Sequence, residues 1–399
     1  MPQNRPLKLG ENPTGRGVIL CSFALLAMGV VMVHSAVASV SRPGPWYSRV
    51  DMRHTIFACA AAVIMLLLWR LDYRVLIRGR RVPLLAVVML LVALAAAALV
   101  YVPGVGHAVG GQRRWIRLGP DRFSLGFQPS ELLKVALLVF LAGWLSRRSE
   151  NVRSFGRTFL PAAAVTGICV LLVVTEDLGT ATVLAVSAGA CMLLAGVPLT
   201  HLATLIPPAA GAFYLLAVRN PSRWARITAM LEPWSHTNPS SYQPRQSLLA
   251  IFSGGWTGQG PGNGLLKLGY LPEDSTDFIF AVYCEEWGFI GAALLMGLIL
   301  IWIWQVRKAA THAGDDFGRL LVGSLGFLVA FQMVLHLAVN LVVAPPTGIS
   351  LPLVSAGGTS LLITAAVVAM IVSVSSRAGE VEELPTEARR DRSRSKGRS

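Results

Sequence analysis

The chain has 399 residues, of which 54% are hydrophobic and only 14% charged, with a formal net charge of +14 and a mean hydropathy of +0.58. Its many apolar runs approach the ~20 residues needed to cross a bilayer, which excludes a soluble fold and makes the chain an integral membrane protein. The positive charge then reads as contact with anionic lipid, and a nucleic-acid partner is excluded.

Taken in chain order, a short polar tail (1–17) precedes the first apolar run, which is too long for a cleaved signal segment. Apolar length and flanking breakers predict helices over 18–40, 54–70, 82–103, 129–146, 158–175, 178–197, 200–218, 277–304, 319–343 and 352–375. The expected fold is an all-α polytopic membrane protein of about ten transmembrane helices, one unit over 18–375. A long loop, 219–276, joins helices 7 and 8, and residues 376–399 mix Arg, Glu and Ser as a disordered tail. Cys21, Cys59, Cys169, Cys191 and Cys284 fall in or beside these runs without metal-ligand spacing and read as buried small apolar residues.

Lys and Arg placement sets the orientation. With both termini in the cytoplasm, 22 of the 35 basic residues fall in the tails and inner connections. The segments 104–129 and 219–276 are then extracytoplasmic.

Three polar segments depart from ordinary connectors. The first carries Gly110-Gly-Gln-Arg113-Arg114-Trp115-Ile and then Phe127-Gln-Pro-Ser-Glu131-Leu-Leu-Lys134. The guanidinium groups of Arg113, Arg114 and Arg117 suit phosphate. Glu131 and Lys134, at i,i+3, suit either an intrahelical ion pair or a ligand, and Trp115 suits either an interfacial anchor or a sugar and lipid path. Further along, Thr175-Glu176-Asp177-Leu-Gly-Thr breaks two spans, with Asp177 placed to cap the sixth helix.

The second segment is rich in Trp and Tyr, as expected of a surface lying on the bilayer interface. It contains a glycine ladder, Gly254-Gly-Trp-Thr-Gly258-Gln-Gly260-Pro-Gly262-Asn-Gly264, that permits tight turns and close approach of main-chain N–H groups to an anion. A nucleotide-loop reading of the ladder fails because no strand and helix flank it. The segment ends in Leu271-Pro-Glu273-Asp274-Ser-Thr-Asp277-Phe-Ile-Phe, which delivers carboxylates to the mouth of a membrane helix, with Glu285 and Glu286 soon after. Acids there mark a functional site or, more plainly, a solvated helix start. The third segment, Pro345-Pro-Thr-Gly-Ile-Ser-Leu-Pro-Leu-Val-Ser355-Ala-Gly357-Gly358-Thr-Ser, breaks the backbone before the last span, as is tolerated where protein covers it or where it lines a wet cavity.

Together, GGQRRWI, FQPSELLK, EDLGTA, QSLLAIFSGGWTGQGPGNG, LPEDSTDFIFA and PPTGISLPLVSAGGTS resemble the SEDS family, the FtsW, RodA and SpoVE proteins of bacterial wall synthesis, in order and over nearly the whole chain. The FtsW-like division branch is the nearer resemblance. It implies a peptidoglycan glycosyltransferase of the bacterial cytoplasmic (inner) membrane that polymerises lipid II into β-1,4 glycan at the outer face, for septal wall synthesis. Asp277 matches the family's reactive acid and implies a general base for the acceptor hydroxyl. Glu273 and Asp274 stand as supporting acids, and Arg113, Arg114, Trp115, Lys134 and Lys267 as pyrophosphate or sugar contacts. Glu131, Asp177, Gly258, Gly260, Ser355, Gly357 and Gly358 complete the motifs. The resemblance also implies a class B penicillin-binding protein as transpeptidase partner, other divisome proteins and surrounding membrane lipid. No metal site is spelled out, although acids beside a pyrophosphate suit a divalent cation, Mg or Mn.

The chain departs from the family at Asp274-Ser275, where an Ala-His pair is common, at Glu176 in place of Pro, and at Ala356 in place of Tyr. The added acid raises the question whether Asp274 shares a proton with Asp277. A lipid II flippase and a non-catalytic divisome scaffold are the competing readings. The scarcity of charge at membrane depth argues against a flippase.

Overall fold

The computed structural model describes residues 7, 10–38, 49–78, 83–109, 112–118, 125–235 and 237–377. The chain folds as a bundle of α1 (Pro13–Ala38), α2 (Val50–Leu68), α3 (Leu84–Leu99), α4 (Pro129–Ser146), α5 (Leu160–Val174), α6 (Leu178–Leu194), α7 (Leu199–Ala203), α8 (Ile206–Phe213), α9 (Pro221–Leu231), α10 (Tyr242–Ser253), α11 (Ile279–Thr311), α12 (Asp316–Asn340) and α13 (Thr359–Ser376). Eight helical stretches among the described residues are long and apolar enough to cross a membrane, including Phe155–Val174 and Leu199–Val218, which run through short π-helical turns. The shorter apolar helices Leu84–Leu99 and Leu178–Leu194 account for the two remaining expected spans. The polytopic helical architecture expected from apolar run length is therefore the one observed. Helix starts follow their caps: Asp177 accepts from the Thr180 N–H at 2.9 Å to open α6, and the Asp315 carboxylate accepts from the Gly318 N–H at 2.6 Å to open α12.

The packing is centred on α4 and α12. α4 is buried on nearly every face, as suits a helix that is apolar all round. α12 packs on α4, α6, α11 and α13, while α1 packs on α11 and α2 on α13. The span Leu199–Val218 stands differently: Leu199, Ile206, Phe213 and Leu215 are all exposed, which leaves its apolar surface for lipid.

Two segments differ from the expected connectors. Between α3 and α4 the chain forms a three-stranded antiparallel sheet, β1 (Gly106–Val109), β2 (Gln112–Leu118) and β3 (Leu125–Phe127), in the order β1-β2-β3. In the strand over 112–118 the neighbours Ile116 and Arg117 point to opposite faces, Ile116 buried and Arg117 exposed. The expected loop 219–276 carries α9 and α10, and α10 lies against α11. The last span begins at Thr359 rather than 352, because residues 345–358 stay non-helical and run into the site. At the chain ends, α1 starts within the expected tail 1–17 and α13 reaches Ser376. The expected disorder of 376–399 otherwise falls outside the described residues.

α11 contains a break that its long and mostly apolar sequence does not announce. Gly288 adopts φ 64° and ψ −164° inside the helix. The glycine ladder docks into this break through the backbone: Gln259 and Gly260 donate to the carbonyls of Glu285 and Glu286 at 2.9 and 3.1 Å, and Phe289 donates to Gly255 at 2.9 Å. Gly258 has φ +83°, and a Cβ there would lie 2.1 Å from the Glu286 carbonyl oxygen. The N–H groups of Gly258, Gln259 and Gly260, expected to approach an anion, are thus spent on carbonyls, and this part of the ladder is a structural joint. Gly258→Ala should cost more than the ~1–3 kcal/mol of a strained backbone position, because the clash adds to it. The measurement is thermal unfolding of the detergent-solubilised protein, and a wild-type transition would show that the joint yields freely.

Candidate active site

The turn that presents Asp277 is built by its own backbone. Glu273 takes a left-handed conformation, φ 57°, so that its carbonyl accepts from the N–H groups of Thr276, Asp277 and Phe278 at 3.2, 3.0 and 3.1 Å, while Thr276 Oγ1 donates to Glu273 Oε2 at 2.8 Å. The segment before α13 clamps this turn from the side. Ser355 Oγ donates to the Thr276 carbonyl at 2.7 Å and accepts from the Leu351 N–H at 2.8 Å, and the Ala356 N–H donates to the Ser275 carbonyl at 3.0 Å. From below, Asn340 at the end of α12 donates through Nδ2 to the Asp277 carbonyl at 3.0 Å and accepts at Oδ1 from the Ala281 N–H at 3.0 Å. Asn340 is a positioning residue with no local sequence signal. Beyond a bond from Nδ2 to the His336 carbonyl one turn back, its partners lie 59 and 63 positions away.

The Asp277 carboxylate points toward Arg114. A Cβ at Gly348, φ +72°, would stand 3.4 Å from Arg114 Nη1 and 3.7 Å from Asp277 Oδ2, so only glycine leaves the space between cation and acid open. Arg114, carried on the central strand, also reaches Asp177 Oδ2 at 3.4 Å. Asp177 is therefore both the α6 cap, accepting from the Thr180 N–H and from Thr180 Oγ1 at 2.8 Å, and the partner of Arg114.

Desolvation, reinforced by the negative charges of Glu273 and Asp177 and opposed by Arg114 and Arg226, pushes the Asp277 pKa up to about 6. Burial likewise pushes Asp274 up to about 6, and there Glu273 is the main carboxylate raising it. The acids that bear most on Asp277 are thus Glu273 and Asp177. A carboxyl poised near 6 is well placed to take a proton at neutral pH.

The other expected contacts are distributed unevenly. Trp115 is partly buried, with its ring against Gly126. The Arg113 side chain lies outside the described residues; its backbone pairs with Ala108 in the sheet. Lys134 is 2% exposed and bonds Glu131 Oε1 at 2.8 Å, while Ser360 Oγ holds Glu131 Oε2 at 3.2 Å. Of the two outcomes open for this pair, the intrahelical ion pair is the one formed. Lys267 is 1% exposed and bonds Glu286 Oε1 at 2.7 Å and Ser35 Oγ at 3.0 Å. Its charge is already met inside the fold, against the expectation of a cation free for pyrophosphate. Gly357 and Gly358 form the turn into α13, with Gly358 at φ 48°.

Beside Asp177 a cavity of about 260 Å³ opens between α6, α9, α12 and the 345–347 segment. Its polar wall holds Asp177, Arg223, Arg226 and Thr347, and its apolar wall includes Phe213, Ile227 and Phe331. Among the described residues no three His, Cys, Asp or Glu side chains converge as a metal site. The oxygens of Asp177 are already engaged by Thr180 and Arg114, so the donor set does not fit a preassembled divalent-cation centre.

A family model described as cell cycle protein, covering FtsW, RodA and SpoVE, matches residues 16–380. A probable peptidoglycan glycosyltransferase FtsW of Nitrosococcus halophilus is 37% identical over 357 residues, covering 88% of this chain and 89% of that protein. A protein of the same description from Halomonas elongata is 36% identical over 387 residues, covering 95% of each. Among solved structures, a chain of a peptidoglycan synthase complex that coordinates polymerization and crosslinking superposes with a TM-score of 0.74 at 28% identity, over 91% of this chain and 98% of that one. The rod shape determining protein RodA of Thermus thermophilus gives 0.62 at 27% identity, over 92% and 96%.

Proposed function

The chain belongs to the FtsW, RodA and SpoVE family of cell cycle proteins, and from that premise we propose that it is a peptidoglycan glycosyltransferase polymerising lipid II into β-1,4 glycan. The observation that carries the reading is the Asp277 carboxylate, fixed by Asn340 and Ser355 at the start of α11, raised to about 6, and faced by guanidinium groups. Asp277 takes the proton of the acceptor 4-hydroxyl as that oxygen attacks the anomeric carbon of the donor. The bond to the donor's lipid diphosphate breaks, and its electrons leave on a phosphate oxygen met by Arg114. A diphosphate is a good leaving group once its charge is met, so no second carboxyl is needed to protonate it, unlike an alkoxide in glycoside hydrolysis. Direct displacement inverts the α-linked donor to a β linkage.

The reaction lies at the outer face of the bacterial cytoplasmic membrane, with both termini inside, as the Lys and Arg bias supports. The division septum is the site of action suggested by the FtsW relatives. A class B penicillin-binding protein is the transpeptidase partner, in keeping with the synthase complex to which the fold is similar. The buried pairs Glu131–Lys134 and Glu286–Lys267 sit within about two turns of the helix starts around Asp277. This clustering favours a polymerase over a transporter, which needs polar groups along a path through the bilayer.

The test supplies fluorescent lipid II to the purified protein and its transpeptidase partner and resolves the product on a gel. A ladder of glycan is expected, and its absence under conditions where a family member polymerises would refute the reading. The rate should climb as pH rises through about 6, because the deprotonated carboxylate is the active form, and should fall about tenfold per unit below that limb. A rate independent of pH between 5 and 7 would count against a carboxylate base.

A further inference from the structure

We propose that Arg226 on α9 binds the diphosphate of the donor lipid, with the first isoprene units of its chain lying along the apolar wall of the adjoining cavity. This rests on the polymerase reading above and names a residue that no sequence motif marks. A donor diphosphate carries at least two negative charges, and it must sit close to Asp277, since it is bonded to the very carbon that the acceptor attacks. The acceptor's own diphosphate lies a disaccharide further away. Yet Lys134 is consumed by Glu131, Lys267 by Glu286, and Arg114 is shared with Asp177. Of these three buried or half-buried cations only Arg114 keeps part of its charge for a ligand, and one shared guanidinium does not match a diphosphate.

α9 supplies two further guanidinium groups to the cavity, and they are not equivalent. Arg223 is committed to the backbone, donating to the carbonyls of Leu216 and Val174 at 3.2 and 3.3 Å and to Thr175 at 2.5 Å, so it ties α9 to the end of α5. Arg226, one turn on, is exposed and makes no hydrogen bond or ion pair among the described residues, yet it lines the cavity and is close enough to draw down the Asp277 pKa. Among the described residues it is a cation without a partner of its own that acts on the reacting acid. A guanidinium fork matches two phosphate oxygens at once, which a lysine does not.

The rest of the cavity suits the substrate's other half. Phe213, Ile227, Phe331 and Leu335 line the cavity, and Phe213 belongs to the lipid-exposed span Leu199–Val218. An amphiphile can therefore keep its chain in the bilayer while its charged end meets Arg226. A free anion would gain nothing from this wall.

The experiment measures equilibrium binding of radiolabelled undecaprenyl diphosphate and of uncharged undecaprenol to the full-length detergent-solubilised protein, as wild type, Arg226→Ala, Arg226→Lys and Asp277→Asn. Arg226→Ala should weaken diphosphate binding about ten- to a hundredfold, the range of a charge-assisted hydrogen bond, and leave undecaprenol binding unchanged. Arg226→Lys should recover part of the loss, and Asp277→Asn should bind as well as wild type or better. Wild-type binding by Arg226→Ala, or an equal loss for undecaprenol, overturns the proposal. Competition by inorganic diphosphate at micromolar concentration would assign the site to a free anion and overturn the lipid assignment. If Asp277→Asn still polymerises lipid II, the base assignment fails while the binding result for Arg226 stands.

Discussion

Asp277→Asn is expected to reduce glycan polymerisation by about 10²–10⁴-fold, the usual contribution of a positioned general base. The substitution is nearly isosteric. The fold should survive it, because the turn is held through main-chain groups: the Asp277 N–H donates to the Glu273 carbonyl, its C=O accepts from Asn340, and neither bond involves the carboxylate. Removing a partly buried carboxylate flanked by Glu273 and Asp177 should even relieve repulsion. The informative result is therefore a protein that unfolds at or above the wild-type temperature, still co-purifies with its transpeptidase, and makes no polymer. Asp274→Asn is the companion measurement. Burial and Glu273, rather than Asp277, dominate the Asp274 environment, so this variant should keep most of its activity. Equal loss in both variants would instead assign the chemistry to an acid pair titrating together.

What was legible in the sequence is the set of features encoded locally. The spans follow from run length, Asp177 from its capping position, and the Glu131–Lys134 pair from helical spacing. Asp277 stood out because acids rarely enter a membrane helix without a use. The features that escaped are those in which distant segments complete one another. Asn340 reaches back to residues 277 and 281, Ser355 to Thr276, and Gly348 matters only because Arg114 and Asp277 converge on it. By sequence Arg226 is one of several basic residues in a loop, and nothing local says that Arg223 beside it is occupied and Arg226 is not. The three strands are too short, at 3–7 residues, to stand out from a connector. Gly288 follows Glu285-Glu286-Trp287 in a stretch that is otherwise apolar, and a lone glycine is tolerated in a helix, so only its backbone angles reveal the break.

The burial of Lys267 escapes the sequence for a related reason, and it leads to the largest expected effect on stability. A lysine among glycines and leucines in a polar loop looks like a surface cation, but its partner Ser35 is 232 positions away and Glu286 lies beyond the helix start. All three side chains meet where the ladder joins α11: Glu286 Oε1 accepts from Lys267 and, at 2.6 Å, from Ser35 Oγ, while Glu285 Oε1 accepts from the N–H groups of Leu265 and Leu266 at 2.8 and 3.2 Å. Glu286→Ala should cost ~3–5 kcal/mol, because it leaves an ammonium group buried without a counter-charge. Lys267→Met combined with Glu286→Met should recover most of that loss, since it removes both charges at similar volume. Thermal unfolding of the three proteins in detergent measures this, and a wild-type transition in Glu286→Ala would show that water reaches the pair. Polymer synthesis by the double variant then separates two roles. Misplacing a catalytic group by about 1 Å can cost on the order of 10² in rate, and the Lys267 bond ends four residues before Leu271, where the turn carrying Asp277 begins. A double variant that is stable but slow would show that the ion pair fixes the register of that turn, whereas one that is stable and fast would show that the glycine joint alone suffices.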